Sequence, residues 1–167
     1  MTGITDISQR QRFLARGNVY LPHIAVIEKI IDETYDTRTF HFNFKDEKLR
    51  KEFTFEPGQF AEFSVFGLGE APFVISSSPT RSGHLEFTPR RVGRVTNALH
   101  RLGVGTEIGF RGPYGNGFPL DFLQNKNLVF VGGGIGLAPL RSLIWNVIDN
   151  RAKYKNIDII FGARSPD

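Results

Sequence analysis

Leu128-Val129-Phe130-Val131-Gly132-Gly133-Gly134-Ile135-Gly136-Leu137-Ala138-Pro139 runs from an unbroken apolar segment through a glycine-rich turn into an apolar helix start. A continuous apolar run is what a strand covered on both faces of a parallel sheet requires. From Ala138 onward, Leu140, Leu143, Ile144, Val147 and Ile148 recur at helical spacing, and residues 157–161 form a second apolar run, read as a second buried strand. Strand, glycine turn, helix and strand within roughly 30 residues predict a parallel, right-handed βαβ unit. Glycine in the turn permits positive φ and lets a diphosphate approach the backbone N–H groups, while the helix N-terminus supplies partial positive charge. Gly132, Gly133, Gly134, Gly136 and Pro139 are therefore candidate nucleotide-binding residues. The same glycines also suit a plain strand-to-helix turn, and their spacing is not G-x-G-x-x-G.

A lone βαβ unit leaves a two-stranded sheet with open edges and one covered face, a state that native proteins avoid. Residues 125–167 are accordingly expected to be covered by another chain or continued by further sequence.

Upstream of Asn127 the period changes. Short segments alternate with period two, namely Ile24 and Val26, then Phe40, Phe42 and Phe44, then Ala61, Phe63 and Val65, then Leu85 and Phe87, then Ile108 and Phe110. Turn residues such as Pro57-Gly58 and Ser82-Gly83 separate them, the pattern of an antiparallel barrel or sandwich. Sixteen Phe against one Trp suit strands better than a helical bundle. One helix interrupts the series where Val95, Ala98, Leu99 and Leu102 share a face, and residues 112–119 read as a long ordered turn. The organisation expected is a polar leader at 1–19, an antiparallel β-barrel domain at 20–122, and the first βαβ unit of an incomplete Rossmann-like domain at 123–167. The fold class is β followed by α/β.

Composition narrows the chemistry. The 21 basic and 17 acidic residues are scattered, a weak footprint for nucleic acid. With no cysteine, the chain holds neither a disulfide nor a thiolate-ligated iron–sulfur cluster. His23, His41, His84 and His100 show no metal-ligand spacing, so no metal is expected. The leader carries Arg10, Arg12 and Arg16 without an apolar stretch, arguing against a signal peptide or membrane anchor. The expected location is the cytoplasm.

Four phrases in order add a resemblance. Glu56-Pro57-Gly58-Gln59-Phe60, Ala71-Pro72-Phe73-Val74-Ile75-Ser76-Ser77-Ser78-Pro79, Arg90-Arg91-Val92-Gly93-Arg94-Val95-Thr96 and Gly112-Pro113-Tyr114-Gly115, followed by the glycine turn, resemble the motifs of the ferredoxin-NADP reductase family. Within it, residues 93–102 and 111–119 are similar to the gamma subunits of sulfhydrogenases and the flavoprotein subunits of anaerobic sulfite reductases. The electron-transfer subunit of dihydroorotate dehydrogenase is a more distant likeness.

The resemblance implies FAD as cofactor and NAD(P)H as substrate. Pro72, Phe73 and Val74 would lie against the isoalloxazine ring, Thr88, Pro89 and Arg90 along the ribityl and phosphate path, and Gly93, Val95 and Thr96 at the pyrophosphate. No residue is assigned as a catalytic acid, base or nucleophile. The partners implied are iron–sulfur electron-transfer, hydrogenase or reductase subunits in a hetero-oligomer. Plainer roles stand beside these: barrel core for Phe73, a helix cap for Thr96, a solvated strand residue for Arg90. The family commonly carries Arg at position 71 and Ser at position 74, where this chain has Ala71 and Val74. Losing the arginine removes a charge-assisted bond to the diphosphate worth ~1.5–3 kcal/mol, which Arg90 or Arg91 is expected to replace. Val74 offers no hydroxyl to flavin N5. Relatives of the closer group also carry a cysteine cluster for a [2Fe-2S] centre and a Cys-Gly motif beside the nicotinamide, both missing from this chain.

Overall fold

The computed structural model describes residues 18–164, and nearly all of the expected polar leader, residues 1–17, lies outside them. Six strands form one antiparallel sheet: β1 (His23–Thr34), β2 (Thr37–Phe44), β3 (Phe60–Val65), β4 (Gly69–Val74), β5 (Leu85–Phe87) and β6 (Glu107–Tyr114), in the order β4-β3-β6-β1-β2-β5. The outer strands meet, because Ile75 and Phe87 form an antiparallel bridge and Ser76 N–H donates to Glu86 O at 2.8 Å. Two helices belong to this part, α1 (Glu47–Glu52), capped by the Asp46 carboxylate, and α2 (Arg94–Leu99).

Phenylalanine fills the interior. Phe40, Phe42, Phe44, Phe63, Phe87 and Phe110 are all buried. Phe63 stacks on Phe87 with centroids 4.1 Å apart and meets Phe42 and Phe110 edge-on at 5.4 and 5.3 Å. Such pairs prefer offset-stacked or perpendicular contact because the ring face is negative and its edge positive. Small residues leave room for the rings: Ala25 and Ala61 are fully buried, and a Cβ on Gly112 would stand 2.9 Å from that of Ala61.

Several expectations need correction here. In β1 the inward residues are Ala25 and Ile27, with Ile24 and Val26 only half-buried, because the register that pairs Ala25 with Phe44 sets the phase. The expected turn at 112–119 begins as strand: β6 runs to Tyr114, which pairs with Phe60. Residues 69–74 form an edge strand, where Pro72 is tolerated since an edge position needs no ladder donor.

The second part comprises α3 (Leu120–Leu123), β7 (Leu128–Gly133), a 3-10 turn (Gly134–Gly136), α4 (Leu137–Asp149), a second 3-10 turn (Arg151–Lys153) and β8 (Ile157–Gly162). β7 and β8 pair in parallel, Leu128 opposite Ile157 through Gly133 opposite Gly162. A small core of Leu128, Phe130, Leu143, Ile144, Val147 and Tyr154 lies between β7 and α4. The expectation of two doubly buried strands fails. Val129 and Val131 are 58% and 69% exposed, and Ile159, Ile160 and Phe161 are exposed as well, because α4 packs on one face of β7 and leaves β8 open on both. No helix among the described residues is long and apolar enough to cross a membrane.

Candidate functional site

α2, which carries one of the marked segments, packs against β4, which carries another, and against β3, while His100 at its C-terminal end reaches the Pro89 carbonyl of a third. Phe73 reaches the core edge, 5.9 Å from Phe63 and 5.8 Å from Phe87, while Pro72 is exposed and Val74 half-buried. Val95 approaches β4 at Gly69, where a Cβ would sit 3.4 Å from Val95 Cγ2. Gly93 is the N-cap of α2, so Thr96 is the third helical residue rather than the first. Its hydroxyl accepts from Val92 N–H at 2.9 Å and Gly93 N–H at 2.8 Å and lies 3.1 Å from Gly93 O. Thr96 thus fixes the loop that enters α2, a box-like cap in which the third residue holds the N-cap backbone.

Thr88 sits in a chain of hydroxyls. Its Oγ1 is 3.1 Å from Ser76 Oγ and 2.9 Å from Thr39 Oγ1, and Thr39 donates to Glu33 at 2.6 Å. Pro89 is buried, and its carbonyl receives His100 Nε2 at 3.1 Å. Burial holds the His100 imidazole below its ordinary pKa, opposed by that carbonyl contact. Arg90 Nε donates to Asp36 Oδ2 at 2.6 Å, and this bond draws the Asp36 carboxyl below the usual range. Arg111, another cation near the missing arginine at position 71, is held by Glu70 through two of its nitrogens.

Gly132, Gly133, Gly134, Gly136 and Pro139 form a separate group at the β7–α4 connection. Gly134 has φ +52°, a conformation that favours glycine. Gly136 is different: it is in the right-handed helical region at φ −62°, and a Cβ there would meet nothing within 4 Å. Gly93 likewise has an extended φ of −145° and open space around it. Neither crowding nor backbone geometry within the chain requires glycine at 136.

The far end of α4 docks on the β4–β5 connection. Arg81 binds Asp149 with two parallel bonds of 3.0 Å, Thr80 donates to the same carboxylate at 2.6 Å, and the Arg81 guanidinium lies 3.6 Å from the Trp145 ring centroid. These bonds hold the Asp149 carboxyl at about 2. Further back along the helix, Arg141 pairs with Glu86 of β5. Glu86 also faces two histidines: His84 Nε2 stands 3.0 Å and His41 Nε2 3.3 Å from its Oε1, with the imidazole rings stacked at 4.2 Å. Sequence spacing hid this group, because His41 and Glu86 are neighbours only through the β2–β5 register. Burial is the main cause that keeps His41 below its ordinary pKa.

The architecture is that of the ferredoxin-NADP+ reductases. The Plasmodium falciparum enzyme (H286L mutant) matches with a TM-score of 0.75 over 91% of this chain and 62% of its own, at 19% identity. The chain belongs to the oxidoreductase FAD-binding domain family, whose pattern matches residues 24–118. It is similar to the sulfhydrogenase 2 subunit gamma of Pyrococcus furiosus, 42% identical over 89% of this chain and 51% of that protein. It is also similar to the probable dihydroorotate dehydrogenase B (NAD(+)) electron transfer subunit of Methanothermobacter thermautotrophicus, at 35% identity over 88% and 51%. The chain therefore spans about half the length of these curated relatives.

Proposed function

We propose that this chain is the FAD-binding part of an electron-transfer subunit that exchanges electrons between NAD(P)H and an iron–sulfur partner protein within a larger assembly. The reading takes the six-stranded sheet as a flavin-binding barrel and residues 123–164 as the start of a Rossmann-like nucleotide-binding unit. One observation supports it: α2, which opens at residues 93–96, packs against β4, which carries residues 72–74, and Phe73 of β4 lies 5.8 Å from Phe87, next to residues 88–90. Glycines 93 and 136, each at a helix entrance with free space where a side chain would stand, support nucleotide contact in both parts of the chain, since close backbone approach leaves no room for a Cβ.

Pro72, Phe73 and Val74 fit a flat ring: an exposed proline, an aromatic edge backed by Phe63 and Phe87, and an aliphatic neighbour. Thr88, half-buried, offers a hydroxyl already ordered by Ser76, Thr39 and Glu33. Asp36 holds Arg90 by Nε, which fixes the guanidinium and leaves terminal N–H groups to serve the diphosphate in place of an arginine at position 71. Thr96 holds the Val92 and Gly93 N–H groups and so fixes the loop that enters α2, whose first-turn N–H groups would face the same diphosphate. When bound, FAD supplies the conversion between a two-electron hydride and single electrons, while the protein supplies position and electrostatics.

The test is the flavin content of the folded chain. About one non-covalent FAD per copy is expected, and Arg90→Ala combined with Thr96→Ala should raise the FAD dissociation constant at least about tenfold without loss of the sheet. FMN, or no flavin at all, in a folded preparation would overturn the reading. A second reading is an FAD-holding or structural subunit without nicotinamide turnover. Bleaching of the flavin absorbance by NADH or NADPH decides against it.

A further inference from the structure

His41, His84 and Glu86 are the one group of metal-ligating side chains that the described residues bring together, with one donor atom of each within 4.8 Å of the others. A zinc-like cation with ligands at 2.0–2.1 Å in tetrahedral array separates those ligands by about 3.3–3.4 Å. Here the His41 Nε2 to Glu86 Oε1 separation is 3.3 Å and that from His84 Nε2 is 3.0 Å. Both imidazole donors thus already stand from the carboxylate oxygen much as a shared metal would space them.

Two further features favour an ion. His41 Nε2 is buried and, although near Glu86, lacks hydrogen-bond geometry to any partner, and a buried polar nitrogen left unsatisfied is costly. The other carboxylate oxygen of Glu86, Oε2, is held by Arg141, which turns Oε1 toward the two imidazoles and sets the carboxylate up for single-oxygen ligation. The stacked rings lie 15° from parallel, so both lone pairs reach one ion only if a ring turns. The His84 side chain, 38% exposed, has the freedom to do so.

We infer that Nε2 of His41, Nε2 of His84 and Oε1 of Glu86 bind a divalent cation of the zinc type. Two imidazoles and one carboxylate suit zinc, cobalt(II) or nickel(II) over calcium or magnesium, which favour all-oxygen sites. Three protein ligands leave a fourth position for water. The ion would clamp β2 to β5 beside the point where α4 docks. The charge of Arg141 opposes the ion, so affinity falls short of that of a closed four-ligand structural site.

The experiment is titration of the full chain with zinc against a chromophoric chelator, repeated with cobalt(II) and its visible absorption. One ion per chain is expected, with a cobalt spectrum of four-coordinate nitrogen and oxygen ligation. His84→Ala, and separately His84→Gln, should weaken binding at least about tenfold, as even indirect disruption of metal sites does, while His23→Ala on β1 should leave it unchanged. Circular dichroism confirms that each variant is folded. Absence of binding, or equal binding by the chain and its folded His84 variants, would overturn the assignment.

Discussion

The six-stranded sheet and the β7–α4–β8 unit are both built from apolar strands, yet they treat that apolar surface oppositely. In the sheet the outer strands meet at Ile75 and Phe87 and the large rings point inward. In the parallel pair, α4 covers one face, so Leu128 and Phe130 are buried while Val129 and Val131, next to them in sequence, stand open. Apolar composition sets how much surface must be hidden. The number of layers decides whether it is.

The largest effect expected from this contrast is on stability. Phe63→Ala removes a fully buried ring that touches four other aromatic rings and should cost about 3–5 kcal/mol. Val131→Ala, at an open position, should stay within about 0.5 kcal/mol. Urea denaturation of both variants measures the difference, and a large loss from Val131→Ala would mean that its face is covered in solution.

Hydrogen exchange sharpens the same comparison. Amides of β8 are expected to exchange well before those of β3 and β5 in the monomeric chain, since few buried apolar contacts mean cheap local opening. Equal protection would show that the βαβ unit is self-sufficient.

Acid should act on the two regions in sequence. His100 is half-buried in the sheet part with its pKa lowered, chiefly by that burial, so its unfolded form takes up a proton first, and this stability is lost as pH falls below about 6.5. Asp149, which latches α4 to the sheet, is depressed from 3.8 to about 2. Its contribution is full above 3.8 and is lost only as pH falls toward 2. Near-ultraviolet signals should therefore show the sheet weakening at milder acidity than the Trp145 contact, and Arg81→Ala should abolish the second step.

A small gain in stability is expected at Gly136. Its φ of −62° suits alanine and the space is open, so Gly136→Ala should raise stability by about 0.4–1 kcal/mol. Flavin reduction by NAD(P)H should nonetheless need more nucleotide, because the added methyl occupies the approach to the turn. Unchanged reduction kinetics would return Gly136 to a purely structural role.

Much of this was legible in advance. The period-two segments of Phe40 to Phe44 and of Ala61 to Val65, the helix around Ala98 and the parallel strand pair all follow from local pattern, since burial on one face writes itself into sequence period. The family was legible as ordered phrases, and its pattern matches residues 24–118. The phase of β1 was not, because Ile24-Ala25-Val26-Ile27 is apolar at every position and only pairing with β2 and β6 selects Ala25 and Ile27 as the inward residues. The edge strand at residues 69–74 was also hidden, since Gly69, Glu70 and Pro72 carry no strand propensity and pairing with β3 imposes the conformation.

The sequence by itself determined the order of elements, the division between period-two and helical patterning, and the glycine-rich turn between β7 and α4, because each depends on residues close together in the chain. The tertiary structure alone decided that Arg81 finds Asp149, that Arg141 finds Glu86, and that His41, His84 and Glu86 share one point. Apart from His84 and Glu86, two positions apart, those contacts join residues 43 to 68 positions apart, and the physical reason they escape a linear reading is that strand register and helix docking, not spacing along the chain, set which side chains meet.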